Sequence, residues 1–214
     1  MSTEPAPVPR PSRSDQRRAT RRRIIDAAAD LFIEHGYATT TLEQVADRAG
    51  VAVQTVYFHY GNKRTLLKEA VDLAAAGDDE PVPVLERPWN EAMHAADDVD
   101  EVLSIWARNG AEIFERIAPI MGVVRDAAVV DAEMAEQWAT NEGQRLTAFR
   151  ELAALLDDRG DLRAGMDVEQ ATDLVFALNS IEVYLLLTRA RGWTTEQWER
   201  WLTDTLRASL VEPR

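Results

Sequence analysis

The chain has 214 residues, 46% of them hydrophobic, no cysteine and a formal net charge of −13. That length buries a real core as one or two domains, and the missing cysteines exclude disulfides and thiolate chemistry, which fits a reducing, cytoplasmic compartment. Apolar stretches such as Val183 to Leu187 fall short of the ~20 residues a spanning helix needs, and Pro5, Pro7, Pro9 and Pro11 break any signal-peptide core, so membrane and secreted classes are not expected.

The charge is unevenly placed. Residues 1 to 68 hold eleven Lys and Arg against seven Asp and Glu, whereas the remainder holds thirteen against thirty. A molecule with one basic end and an acidic body presents a single end to a polyanion, because the other is repelled. Arg10, Arg13, Arg17, Arg18, Arg21, Arg22 and Arg23 concentrate the positive charge. Residues 1–14 are Pro-rich and lack the apolar content to offset ordering entropy, so they read as a disordered basic arm. Such an arm either adds phosphate or minor-groove contacts or is a solvated tail.

A first helix is expected from Asp15. The run Thr40-Thr41-Leu42-Glu43 matches a capping box, predicting a second helix that starts at Thr41. Its apolar positions Leu42, Val45, Ala46 and Ala49 share one face, and Gly50 supplies the stop. A third, roughly Val53 to Tyr60, follows after a tight turn, and Gly61-Asn62 separates it from another beginning at Lys63. Two short helices joined by a turn make a helix-turn-helix, whose second helix enters the major groove. The competing reading of Val51 to Tyr60 is a β-strand, since β-branched and aromatic residues alternate there. With no second strand nearby, its backbone groups would lack partners, which favours the helix.

Val56 and Tyr60, four residues apart, are expected to face inward with Val51, leaving Gln54, Thr55, Tyr57, Phe58 and His59 for the outer surface. Gln54 has an amide suited to adenine, Thr55 a hydroxyl and methyl suited to thymine, and Val53 only apolar contact. Lys63, at a helix start that already favours anions, adds a cation for phosphate.

The run from Gly50 through Val56-Tyr57-Phe58-His59-Tyr60-Gly61-Asn62-Lys63 to Leu67 resembles the DNA-binding signature of the tetracycline-repressor (TetR) family of transcriptional regulators. Upstream, Ile24-Ile25-Asp26-Ala27-Ala28, Leu31-Phe32, His35-Gly36-Tyr37-Ala38 and Thr40 to Ala46 resemble that family's first two helices in order and spacing. Two positions depart from it: Ala52 stands where a small hydroxyl residue is usual, leaving the third helix without its N-cap, and Val53 replaces a commonly polar residue. The resemblance implies DNA contacts from Tyr57 and His59, with Thr40 touching the DNA backbone. Together with Val53, Gln54, Thr55, Lys63 and Arg22, these form the expected DNA-binding set.

Residues 77 to 88, rich in Pro and acid, read as a break between two bodies. Beyond it helices are expected from Val99 to Pro119, Ala132 to Arg159, Asp167 to Arg191 and Thr194 to Val211. The predicted organisation is all-α: arm 1–14, helix-turn-helix domain 15–62, connecting helix 63–76, and a larger helical domain 77–214. Leu174 to Leu187 is apolar around most of its circumference, so the helix must be covered on both sides. The resemblance implies that the last two long helices pair with a twofold copy, Trp198, Trp201, Leu202 and Leu206 contributing; burial within one monomer is the alternative.

The resemblance also implies a cavity for a small-molecule effector. Trp106, Phe114, Met121, Met134, Trp138, Phe149, Phe176 and Tyr184 are bulky enough to line one or to pack an ordinary core. Asn179 and Glu182 are polar groups inside an apolar run. Glu182 faces a partner charge, lies at a dimer seam or binds a cationic ligand.

The function implied is a sequence-specific regulator, a repressor that binds a palindromic operator as a homodimer and is released by a ligand. The alternatives are a non-specific nucleic-acid-binding protein and a regulator without a ligand. No nucleophile elbow, zinc-protease, P-loop or dinucleotide motif is present, and His35, His59 and His94 are scattered, so neither an enzyme nor a cofactor or metal is expected.

Overall fold

A computed structural model describes residues 12–76 and 83–212. The chain forms two compact units, the first ending at Ala70 and the second starting at Val71.

In the first unit, α1 spans Arg13–His35 and opens on a capping box between Ser12 and Asp15. The helix therefore takes in Arg13 and Ser14, two residues assigned to the arm from sequence; residues 1–11 lie outside the described residues. Ile24, Ala28 and Phe32, spaced at four, are fully buried. α2 spans Leu42–Ala49, with Thr41 as N-cap and Gln44 returning the bond, so the box lies one residue later than expected. Gly50 ends α2 in the left-handed region at φ 64°, where a β-carbon would be strained. α3 follows at Val53–Tyr60 after that short turn, and Ala52 gives it no side-chain cap.

α3 is a helix despite its β-branched and aromatic content, because tertiary contacts outweigh propensity. Val56 and Tyr60 are buried, and the Tyr60 hydroxyl donates to the Arg21 carbonyl of α1 at 3.0 Å. Bidentate bonds of 2.9 and 2.8 Å from Arg48 to Glu34 tie α2 to α1. α4, Lys63–Ala76, runs from the first unit into the second. The Asn62 side chain caps its first turn by accepting from the Thr65 amide at 2.9 Å.

The second unit holds a 3₁₀ turn at Val84–Glu86, then α5 (Pro88–Ala95), α6 (Val99–Ala128), α7 (Ala132–Asp158), α8 (Val168–Leu178), α9 (Ile181–Leu185), a π-helical turn at Leu186–Ala190 and α10 (Thr195–Leu210). Three departures from the sequence reading have physical causes. α5 lies partly in the segment read as a break, its Pro88 occupying the first turn, where a missing amide costs nothing. α6 continues through Pro119, because Ile120, Met121, Val124 and Ala127 extend its buried stripe and repay one lost helical bond. The long helix expected over residues 167–191 is broken: Asn179 leaves helical geometry at ψ 54°, and Ser180 caps a new helix through the Val183 amide.

The core gathers around α6, whose Val102, Leu103, Ala107, Ala118 and Met121 are fully buried. On one side Phe114, Tyr184 and Trp198 form an aromatic trio with centroids 5.1 to 5.7 Å apart. On another, Trp89, Trp106, Phe149 and Phe176 form a chain with successive centroids 5.7 to 6.0 Å apart. The run Val168–Ala190 is long and apolar enough to cross a membrane by length and composition alone, with a mean hydropathy of 1.4 over its most apolar 18-residue window, 33% of which is buried.

Candidate nucleic-acid interface and effector cavity

Residues on α3 separate by depth. Val56 and Tyr60 face the core, while Gln54 is exposed and Tyr57 and Phe58 are 49% and 75% exposed. Val53, Thr55 and His59 lie half-buried at the edges of the same surface. One helix face therefore offers an amide, a phenol and an apolar ring to solvent, at a cost in exposed apolar area that a folded domain alone does not explain. Phe58 braces His59 edge-on at 5.3 Å. Burial first, then the charges of Arg21 and Arg17, hold the His59 imidazole below its ordinary pKa of 6.5, so it is mainly neutral at neutral pH.

Arg13, Arg17, Arg18, Arg21, Arg22 and Arg23 are exposed along the N-terminal half of α1, and of these Arg17 and Arg21 act on His59. Arg22 reaches back to Asp26 at 2.9 Å. Arg21 lies over the Tyr60 ring at 5.8 Å and pairs with Glu69 at 3.2 Å.

Two residues expected to meet DNA are instead turned inward. Thr40 is 1% exposed, and its hydroxyl donates to the carbonyls of Gly36 at 2.9 Å and Leu31 at 3.1 Å. It fastens the end of α1, and the exposed helix start belongs to Thr41. The Lys63 ammonium donates to the carbonyls of Tyr37 at 2.6 Å, Thr40 at 3.0 Å and Ala38 at 3.3 Å, and stands 4.4 Å from the Tyr37 ring centre. Its three donors fasten the α1–α2 connection, and the Asn62 side chain already takes the Thr65 amide at the α4 start.

The second unit contains a cavity of about 460 Å³, within the range of small-molecule sites. Trp106, Phe114, Met121 and Asn179 line it, as do Trp89, Ile113, Arg145 and Phe149. The remaining four expected ligand residues lie elsewhere. Tyr184 is locked in the aromatic trio, its hydroxyl 3.1 Å from that of Thr195. Trp138 is half-buried on α7 away from the wall, Phe176 stands behind Arg145, and Glu182 is exposed on α9. Glu182 is thus placed for a surface role and not for holding a cation inside the cavity.

Arg145 was missed from sequence, although it shares a helix face with Phe149, four residues on. Its side chain is only 13% exposed and ion-paired with Glu142. It donates to the Asn179 carbonyl at 2.9 Å, a group freed by the break between α8 and α9. Among the described residues no cluster of three or more His, Cys, Asp or Glu is arranged to hold a metal ion.

A basic three-helix unit exposing a short second helix after a tight turn, followed by an all-helical unit with a cavity, defines a helix-turn-helix regulator. Residues 24–70 match the model of the bacterial regulatory proteins of the tetR family. A relative described as an uncharacterized HTH-type transcriptional regulator, YdeS of Bacillus subtilis (strain 168), is 29% identical over 159 residues, covering 73% of this chain and 74% of that one. A transcriptional regulator from Saccharomonospora viridis, solved in complex with choline, has the same fold with a TM-score of 0.67 and 19% identity over 90% of this chain and 98% of that one. The SmeT–triclosan complex aligns with a TM-score of 0.65 and 24% identity over 91% and 92% of the two chains. The chain belongs to the TetR family of transcriptional regulators.

Proposed function

We propose that this protein is a repressor that binds a palindromic operator as a homodimer and releases it when a small molecule occupies the cavity of the second unit. The observation that carries this reading is the pairing, in one chain, of an exposed α3 surface with an apolar cavity of about 460 Å³. Gln54, Thr55, Val53 and Tyr57 read or brace the major groove, and His59 with the α1 arginines, Arg22 among them, meets phosphate.

Dimerisation serves that geometry. One two-turn helix binds weakly, whereas two related by a twofold axis read both half-sites. The apolar run Val168–Ala190, in which Leu186 is 58% exposed and Leu174, Leu178, Val183, Leu185 and Leu187 are only half-buried, supplies the surface a second copy would bury. α4 is the covalent route between the events, since Leu66 and Leu67 are fully buried in the first unit and Ala75 stands on the cavity wall. A ligand that favours one position of α4 changes operator affinity by its differential affinity for the two states and by no more. The structural neighbours bound to choline and triclosan support a ligand site of this kind, and the reading implies action in the cytoplasm.

The test is binding to duplex from the protein's own upstream region against unrelated duplex at fixed near-physiological salt. A preference of ~10³-fold or more supports the specific regulator. Equal, salt-sensitive binding to promoter and random duplexes alike sinks it and points to non-specific nucleic-acid binding.

A further inference from the structure

The interior of the second unit contains polar atoms that its own fold leaves unpaired. Among them are Arg145 Nε, the indole nitrogens of Trp89 and Trp106, and Asn179 Oδ1, and all four residues line the cavity. Trp106 and Asn179 are 5% and 2% exposed, so bulk water does not serve them freely. The Asn179 amide lies beside Gly110 on the same wall, its Nδ2 3.6 Å from where a β-carbon would stand. A buried donor without a partner is costly, and three of these four atoms are N–H donors. Trp106 and Arg145 both pack on Phe149, with the ring centroids 5.7 Å apart for Trp106 and the guanidinium carbon 5.3 Å from the Phe149 centroid.

Three phenylalanine rings beside the cavity already hold a cation. The Arg145 guanidinium carbon lies 5.0, 5.3 and 5.9 Å from the ring centres of Phe176, Phe149 and Phe114. Among the described residues no Asp or Glu stands on the wall. An organic cation would meet the Arg145 guanidinium with those three rings occupied, no carboxylate among the described lining residues to receive it, and Glu142, off the wall, already paired with Arg145. We infer that the cavity takes a flat, largely apolar molecule bearing an acidic oxygen, a carboxylate or phenolic hydroxyl, seated against Arg145 and the Trp106 indole N–H, and that it rejects organic cations. This assignment rests on the cavity being the effector site of the proposed repressor.

Three probes on one scaffold test it by equilibrium dialysis with the full chain: naphthalene-2-carboxylate, 2-methylnaphthalene and 2-naphthyltrimethylammonium. The carboxylate is expected to bind roughly 10-fold or more tighter than the methyl compound, in line with a hydrogen bond to a charged group, and the ammonium not detectably. Arg145→Met should bring the carboxylate down to the methyl compound's affinity, with circular dichroism confirming the fold. Should that variant not fold, Trp106→Phe keeps a ring and removes one donor, and should narrow the same preference. Ammonium binding equal to carboxylate binding, a preference that survives in folded Arg145→Met or, should that variant not fold, in Trp106→Phe, or no binding of any probe overturns the assignment. Operator release is read separately: carboxylate binding without release upholds the cavity's chemistry and overturns the ligand-release function.

Discussion

The two units leave unfinished business in opposite places. Among the described residues, no buried side-chain polar atom of the first unit lacks a partner, while Tyr57 and Phe58 stand out in solvent. In the second unit unpaired groups lie inside, those of Trp89, Trp106, Arg145 and Asn179 at the cavity and others, such as Trp198 Nε1 and Asn90 Oδ1, away from it. A unit that satisfies its interior and spends apolar area on its surface is built to meet a large partner. One with donors stranded around a cavity is built to be completed by a small one. This contrast also separates residues that hold the fold from those free to act, and substitutions can probe it.

The largest effect is expected at Trp198, fully buried in the aromatic trio. Trp198→Ala should cost ~3–5 kcal/mol in urea denaturation; a loss under ~1 kcal/mol would mean that the second unit is far looser than its packing implies. Next comes Lys63. Because its ammonium serves three carbonyls, Lys63→Met should lose ~1–3 kcal/mol of stability. Unchanged stability with a shallower salt dependence of DNA binding would return Lys63 to the phosphate contacts. Tyr57→Ala should leave stability within ~0.5 kcal/mol while weakening operator binding about tenfold, or ~1.4 kcal/mol. Equal damage to both would erase the distinction between the two kinds of residue.

The smallest effect is the pH response of His59. Its pKa is depressed in the free protein, so folding stability from its neutral form is present above the unfolded value of about 6.5 and is lost as pH falls below it. A nearby DNA phosphate favours the protonated ring and raises that pKa, so the complex takes up a proton. Operator affinity should therefore strengthen as pH falls through about 7 to 6, by less than tenfold, and His59→Gln should flatten that component. A response unaltered by the substitution would assign it to another group.

Much of the architecture was legible because local signals agree with the global fold. Asp167 and Thr194 were visible as starts and were found as N-caps, and the α2 stripe predicted its buried face. The misreadings came where sequence carries no record of partners. Thr40 and Lys63 look like surface residues until the carbonyls that take their hydrogen bonds are placed beside them. Asn179 interrupts an apolar run without Pro or Gly to announce it. Arg145 was passed over because its aromatic neighbours Phe114 and Phe176 are distant in sequence, and only packing brings them around its guanidinium.

The break at Asn179 also bears on how this part of the chain opens. An uninterrupted helix over residues 167–191 would fray only at its two ends, whereas the interruption creates a fresh start in the middle of a highly apolar stretch. The first amides of α9 have no helical carbonyl one turn back; Ser180 serves that of Val183 at 3.2 Å. Amide hydrogens around Ser180 to Glu182 are therefore set to exchange with solvent through small local openings, far below the cost of unfolding α8. The cavity wall carries its own slow clock, readable by isotope exchange without a label or a ligand.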